Sequence, residues 1–324
     1  MSRPLFVPFG INPEGRVIDA ADAQRDMVYQ CPLCRSELVY HAGQTVVRHF
    51  AHKAGTTCSL ETVLHKTAKL LITQAIVDHV NPSLDKTISI TCECVSCSIA
   101  FPLDIPKIAF TSARQEEAIG SFVCDVVAMR EESPVLGIEI RVTHEVDEAK
   151  AKALSIFWVE LKAADVLKSP MKWVPISSRL KPVRCKKCKE YKSRIDALAA
   201  RWNIGKCPPA RFIDSYKAGY LVEVEKCWKC QEEIPVFWWP GVPFCQKEPP
   251  KPRPRTIAYR HSKMFGGSYW ANTCPGCQSI QGDNFLFLGE SPTFQHLPTG
   301  ETPETRSHSA AIKNAVIGKF LRNF

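Results

Sequence analysis

The sequence predicts a mixed α/β or α+β core fitted with small zinc-binding modules. Three observations predict it. Short β-like runs and helical periodicity follow one another as strand, hairpin, strand, helix, strand between residues 87 and 163. Most of the fifteen cysteines fall in C-x-x-C pairs rather than at scattered spacings. Apolar content of 45% with 23% charged residues is ordinary for a globular chain and sets aside disorder. A length of 324 residues suggests two or three compact domains. The expected order is a strand and Cys2His2-type zinc segment over 1–59, the core over 60–180, a basic zinc-knuckle and helical linker over 181–220, and a C-terminal zinc ribbon with a terminal helix over 221–324.

The elements follow in order. Residues 1–30 read as an extended lead-in. LETVLHKTAKLLITQAIVDHV at 60–80 repeats apolar residues at helical spacing, with Leu60, Leu64, Leu71 and Ala75 on one face. TISITCE (87–93), SIAFPLDI (98–105), SFVCDVVAMR (121–130) and VLGIEIRVT (135–143) read as strands, and REESPV as the hairpin turn between the last two. EVDEAKAKAL at 145–154 has acids early and lysines late, as suits a helix dipole. SIFWVELKA at 155–163 returns as a strand. Beyond about residue 180 the chain turns basic (RLKPVRCKKCKEYKSR), with a short helix expected at 192–203, an extended proline-rich linker KEPPKPRPR at 247–255, and an amphipathic helix at 309–324.

The net charge of +9 leans toward a polyanionic partner without requiring one. MSRPLFVPFG has no extended apolar core, and no window reaches the ~18 consecutive apolar residues of a membrane span. A reducing, cytoplasmic setting is therefore expected, with no membrane partner and with the cysteines as zinc thiolates rather than disulfides.

Three metal sites are expected. Cys31 and Cys34, followed after fourteen residues by His49 and His52, supply two thiolates and two imidazoles for a tetrahedral ion, with Cys58 an alternative to one histidine. Cys227 and Cys230 with Cys274 and Cys277 form the two knuckles of a zinc ribbon. Cys94 and Cys97 with Cys185 and Cys188 form a third set if the ends of the intervening core meet; schemes using Cys92 or Cys207 compete with it. Cys124 and Cys245 read as buried free thiols. Two or three zincs in closed shells have a structural role, because no position is left for a reactive water.

The chemistry is expected elsewhere. Asp125 lies in the apolar strand FVCDVVAM, and Glu139 in GIEIRVT. Alternation sets Glu139, Arg141 and Thr143 on one strand face. A turn centred near Glu132 sets Asp125 almost opposite Glu139. Like charges so placed repel, and a Mg²⁺ or Mn²⁺ ion would reverse the sign and activate water. Glu61, His65 and Lys69 form an i, i+4, i+8 stripe on the preceding helix: a further ligand, a phosphate or water contact, and an electrostatic stabiliser, if the helix covers the sheet. The bland alternative is a solvated edge, with the acids paired to arginine.

The run CPLC…HFAH, then ETVLHKTAK, CDVVAM and IEIRVT resembles the competence protein CoiA-like family over about residues 28–165. That resemblance implies an N-terminal zinc-binding segment and a core of the PD-(D/E)xK nuclease type, a mixed sheet flanked by helices. It places Asp125 and Glu139 as metal-binding acids, Glu61 as the helical acid, and DNA as substrate. The superfamily's lysine falls at Arg141, which stays protonated and cannot act as a base; Thr143 matches a serine of CoiA-like members. A catalytically weak or inactive nuclease-fold zinc protein that binds nucleic acid or a protein partner is therefore the rival. The basic segments 179–194 and 251–263 are expected to grip a phosphate backbone, and the C-terminal ribbon to dock nucleic acid or a protein partner.

Overall fold

A computed structural model describes residues 6–43, 46–53, 58–142, 154–215 and 218–300. Thr143, nearly all of the helix expected at 145–154 and the helix expected at 309–324 lie outside them. The chain divides into two compact units, Met1–Cys92 with Ala100–Pro182, and Glu93–Ile99 with Val183–Phe324. The stretches read separately as 1–59 and 60–180 thus fall in one unit.

The first unit opens with β1 (Phe6–Val7), β2 (Phe9–Ile11), β3 (Val17–Asp19), β4 (Tyr29–Gln30), β5 (Glu37–His41) and β6 (His49–His52), in the sheet order β1-β6-β5-β4-β2-β3. Fully buried Phe50 and Tyr29, with ring centroids 4.9 Å apart, anchor it. A Cβ on Gly10 would come within 3.1 Å of both side chains, so the strand closes on them only because that position is glycine.

Helix α1 (Leu60–Val80) follows, started by the Ser59 hydroxyl, which accepts from the Thr62 N–H at 3.1 Å. Its buried face is Val63, Ala68, Leu71, Ile72, Ala75 and Ile76. This corrects the expected face: Leu60 is exposed and Leu64 half-buried, because the 60–80 run offers apolar residues on more than one side and packing selects among them.

The remaining strands of the unit are β7 (Ser89–Glu93), β8 (Ala100–Asp104), β9 (Ser112–Ile119), β10 (Phe122–Arg130), β11 (Ser133–Arg141), β12 (Phe157–Lys162), β13 (Lys172–Trp173) and β14 (Pro175–Arg179), with a short helix α2 (Ala163–Lys168) after β12. They form a sheet ordered β14-β12-β11-β10-β9 and a small one ordered β13-β7-β8. In the larger sheet β9, β10 and β11 are an antiparallel meander, and β12 runs parallel to β11. Residues Glu131 and Glu132 make the β10–β11 turn, where the sequence put it, with Glu131 at φ 55°. Strand β9 was not expected. Its sequence SARQEEAI is polar and poor in β-branched residues, and its burial alternates along an edge.

In the second unit, α3 (Lys186–Arg201) precedes the hairpin β15 (Leu221–Lys226)–β16 (Glu233–Trp238) and the three-stranded sheet β17 (Ile257–Ser262)–β18 (Gly267–Thr273)–β19 (Ile280–Gln281). α3 begins six residues earlier than the helix expected at 192–203. Trp239, Phe237, Leu221 and Val236 fill the core. The buried Asn272 amide clips the two sheets together: it accepts from the Phe237 N–H at 2.7 Å and donates to the Phe237 carbonyl at 2.9 Å.

Candidate metal centres and acidic site

Four of the five C-x-x-C pairs adopt one backbone design. In each, the first cysteine's N–H bonds the carbonyl five residues on: Cys31 to Ser36, Cys94 to Ile99, Cys227 to Glu232 and Cys274 to Ser279, at 2.8–3.0 Å. In each, the residue after the second cysteine is left-handed: Arg35 at φ 62°, Ser98 at 54°, Gln231 at 61° and Gln278 at 63°. The turn aims backbone N–H groups and both sulfurs at one point. The fifth pair differs. Cys185 stands at the N-cap of α3 and Cys188 within its first turn, where the helix's unpaired N–H groups favour negative charge.

These pairs build three clusters: Cys31, Cys34, His52 and Cys58; Cys94, Cys97, Cys185 and Cys188; and Cys227, Cys230, Cys274 and Cys277, the ligand atoms of each lying within 4.8 Å of one another. A tetrahedral Zn²⁺ with Zn–S of ~2.3 Å sets sulfurs about 3.8 Å apart. The structure has 3.6 Å for Cys227–Cys277 and for Cys230–Cys274, and 4.0 Å for Cys97–Cys185. Cys34 Sγ lies 3.6 Å from His52 Nε2. Soft sulfur and imidazole donors at these separations could hold zinc, and a four-ligand shell leaves no place for a reactive water. Cys92 and Cys207 stay outside the clusters, and burial pushes both thiols up. Cys245 and buried Cys124 also stay out; Cys124 packs against Gly137, where a Cβ would meet its Sγ at 3.2 Å.

His49 is a correction. The ligand count of two thiolates and two imidazoles pairs it with His52, which requires both rings to reach one point. Here HFAH is strand β6, and residues three apart on a strand face opposite ways. His49 instead stacks on His41 at 5.0 Å, meets Phe6 edge-on at 4.4 Å, and donates from Nδ1 to the Val47 carbonyl. Cys58 takes the fourth place.

The acidic site forms where the β10–β11 ladder ends. The last paired residues are Val126 and Ile138, and one further step in that register sets Asp125 across from Glu139. The Ile140 N–H, just beyond that last pair, donates to Asp125 Oδ2 at 2.8 Å. α1 supplies the rest. His65 Nε2 is 3.2 Å from Oδ2, and Lys69 Nζ is 2.6 Å from Oδ1 and 2.5 Å from Glu116 Oε1. The His65–Lys69 part of the stripe thus lies over the sheet, with the Lys69 side chain 7% exposed, whereas Glu61 faces solvent. Burial pushes the Asp125 carboxyl up, but hydrogen bonds from His65, Lys69 and the Ile140 N–H outweigh it and hold the group at about 2. For Lys69 burial works downward, and Asp125 and Glu116 together raise it.

The other expected residues differ in exposure. Glu139 is buried, Arg141 half-buried, and Glu61 exposed in the first turn of α1. Among the described residues, the three cysteine clusters are the groups whose ligand atoms converge within 4.8 Å; the carboxylates do not form a fourth.

Sequence reasoning missed two acids. Glu160 on β12 pairs in parallel register with Glu139 and is 3% exposed. WVELK carries the signal that flagged Glu139, an acid inside an apolar run. Glu116 was hidden because β9 was not expected; it sits mid-strand at φ 53°, a conformation costly for a side-chain-bearing residue.

Residues 17–61 match the family model for the N-terminal domain of competence protein CoiA. The N-terminal segment is CoiA-like. This supports the resemblance read from the sequence, and the match spans all four residues of the first cluster and ends at Glu61, short of His65, Lys69, Asp125 and Glu139. No curated protein and no solved structure matches the chain.

Proposed function

We propose that the first unit is a divalent-metal-dependent nuclease core acting on DNA phosphodiester bonds, in a competence-related, CoiA-like protein. The observation that carries this reading is the ionised Asp125, fixed at the open end of the β10–β11 ladder one register step from Glu139, with two α1 nitrogens on its oxygens.

The donor chemistry fits Mg²⁺ or Mn²⁺. Asp125, Glu139 and, from α1, Glu61 offer hard carboxylate oxygens. When bound, such an ion supplies a Lewis acid and a water of lowered pKa. The chain's own residues do the rest. The Ile140 N–H orients Asp125, His65 is within reach of a water or phosphate oxygen, and Lys69 and Arg141 offset phosphate charge. Arg141 cannot take a proton.

A second reading rests on a specific observation: the Lys69 ammonium, 2.6 Å from Asp125, already supplies the positive charge that motivated a metal there. In that reading the fold binds nucleic acid without cutting it. Cleavage of single- and double-stranded DNA with Mg²⁺ or Mn²⁺ separates the two. Wild type should cut, and Asp125→Asn and Glu139→Gln should lose at least about a hundredfold in rate, a scale set by losing a group that holds the reacting centre. Equal rates in all three proteins would sink the site assignment. Absence of Mn²⁺ binding by calorimetry, with DNA binding intact, would favour the second reading.

A further inference from the structure

The second unit exposes large apolar side chains in one place. Trp228 sits between two zinc-knuckle cysteines and is 65% exposed; its indole N–H donates to the Ile280 carbonyl at 2.7 Å, which fixes the ring. Phe285, in the π-helical turn Asn284–Leu288, is 63% exposed, and Met264, in the β17–β18 turn, 57%. All three line a single cleft of about 950 Å³. Isolated exposed hydrophobics need no explanation, but three around one concavity do.

The cleft is also cationic. Lys226, Lys229 and Lys263 line it, and none is ion-paired among the described residues. Its three lysines outnumber its two acids. Glu225 accepts from the Thr293 hydroxyl at 2.7 Å. Asp283 is fully buried in the wall, with Oδ2 taking the Phe244 N–H, and burial pushes its carboxyl up to about 8, so it is mostly neutral at pH 7.

We propose that this cleft binds single-stranded DNA, stacking bases on Trp228 and Phe285 and holding phosphates with Lys226, Lys229 and Lys263. Aromatic surfaces beside cations form the platform that unpaired bases need, whereas the base faces of a duplex are hidden in its own stack. A protein partner would use the apolar area but leave the lysines without a polyanion. The choice of DNA over RNA rests on the reading above; the stacking site does not depend on the acidic site.

The test is anisotropy of a short labelled oligo-thymidine strand with the full chain, zinc retained and no other divalent ion added. Trp228→Ala and Phe285→Ala should each weaken binding about tenfold, and Trp228→Phe should keep most of it. Lys229→Glu and Lys263→Glu should flatten the salt dependence. Aromatic variants that keep their zinc and still bind like wild type would overturn the cleft, as would equal affinity for duplex or a preference for RNA. Lack of cleavage by wild type, with aromatic-dependent binding intact, would overturn the nuclease reading alone.

Discussion

The thiolate clusters and the acidic strand pair both gather negative charge in partly buried places, and they neutralise it differently. Each cluster brings four donors within 4.8 Å of one another, most of them on a shared knuckle turn, and a metal ion held there would supply the positive charge. At Asp125 the protein supplies its own, from Lys69, with His65 Nε2 at hydrogen-bond distance. Charge met by a metal makes folding conditional on that metal; charge met by a lysine leaves a site that stands alone. The two designs touch at one point in the chain. Cys58 closes the first cluster, Ser59 caps α1, and α1 carries Glu61, His65 and Lys69, so the first cluster fastens the start of the helix that aims at Asp125.

The largest effect should come from breaking a cluster. Native mass spectrometry should count three zincs per chain. Cys94→Ser and Cys227→Ser should each lose one and unfold the second unit, since structural zinc contributes on the order of 10 kcal/mol. In the first cluster Cys58→Ser should lose one zinc and His49→Ala none. Loss of zinc in His49→Ala would return that residue to the ligand set.

Next comes the lysine-neutralised pair. Asp125→Ala leaves the buried Lys69 with only half-exposed Glu116, and should cost about 3 kcal/mol in chemical denaturation. Asp125→Ala with Lys69→Met should recover much of it, because removing both charges strands neither. A double variant as unstable as the single one would argue that the pair does not set the local stability.

The same pair should respond to acid. The Asp125 pKa is depressed from its ordinary value near 3.8 to about 2 in the folded state. Its contribution, about 2 kcal/mol, is therefore fully present above pH 4 and lost as pH falls from 4 toward 2. The stability difference between wild type and Asp125→Asn should shrink over that window.

Much of this comparison was legible in the sequence. C-x-x-C spacing is local, and the turn it needs is fixed by a few backbone bonds, so eleven of the twelve expected zinc ligands fall in the three clusters; Cys58, the stated alternative, replaces His49. The β10–β11 hairpin was legible because its strands are apolar and its turn polar. What could not be read was tertiary. The HFAH segment became a strand, β9 is a polar edge that forms only by pairing with β10, and nothing in the spacing of His65 and Lys69 says that their stripe faces a sheet rather than water. Glu160 was in plain view, and its burial shows only once β12 lies beside β11.

The smallest predicted effect compares the two designs through backbone strain. Gln231 and Gln278 hold left-handed φ in the ribbon knuckles, as Glu116 does in β9. Such a conformation costs a side-chain-bearing residue about 1–2 kcal/mol, and glycine removes that cost while losing more entropy on folding. Gln231→Gly and Gln278→Gly should therefore raise stability by somewhat under about 1 kcal/mol, with zinc content unchanged. Glu116→Gly relieves the same strain but takes one carboxylate from the Lys69 ammonium, so it should give no gain or a small loss. A gain at Glu116 as large as at the knuckles would mean that Asp125 alone satisfies Lys69 and that the strained turn serves no electrostatic purpose. No gain at either knuckle would mean that the zinc-bound turn absorbs the strain, and that the thiolate design tolerates any residue there.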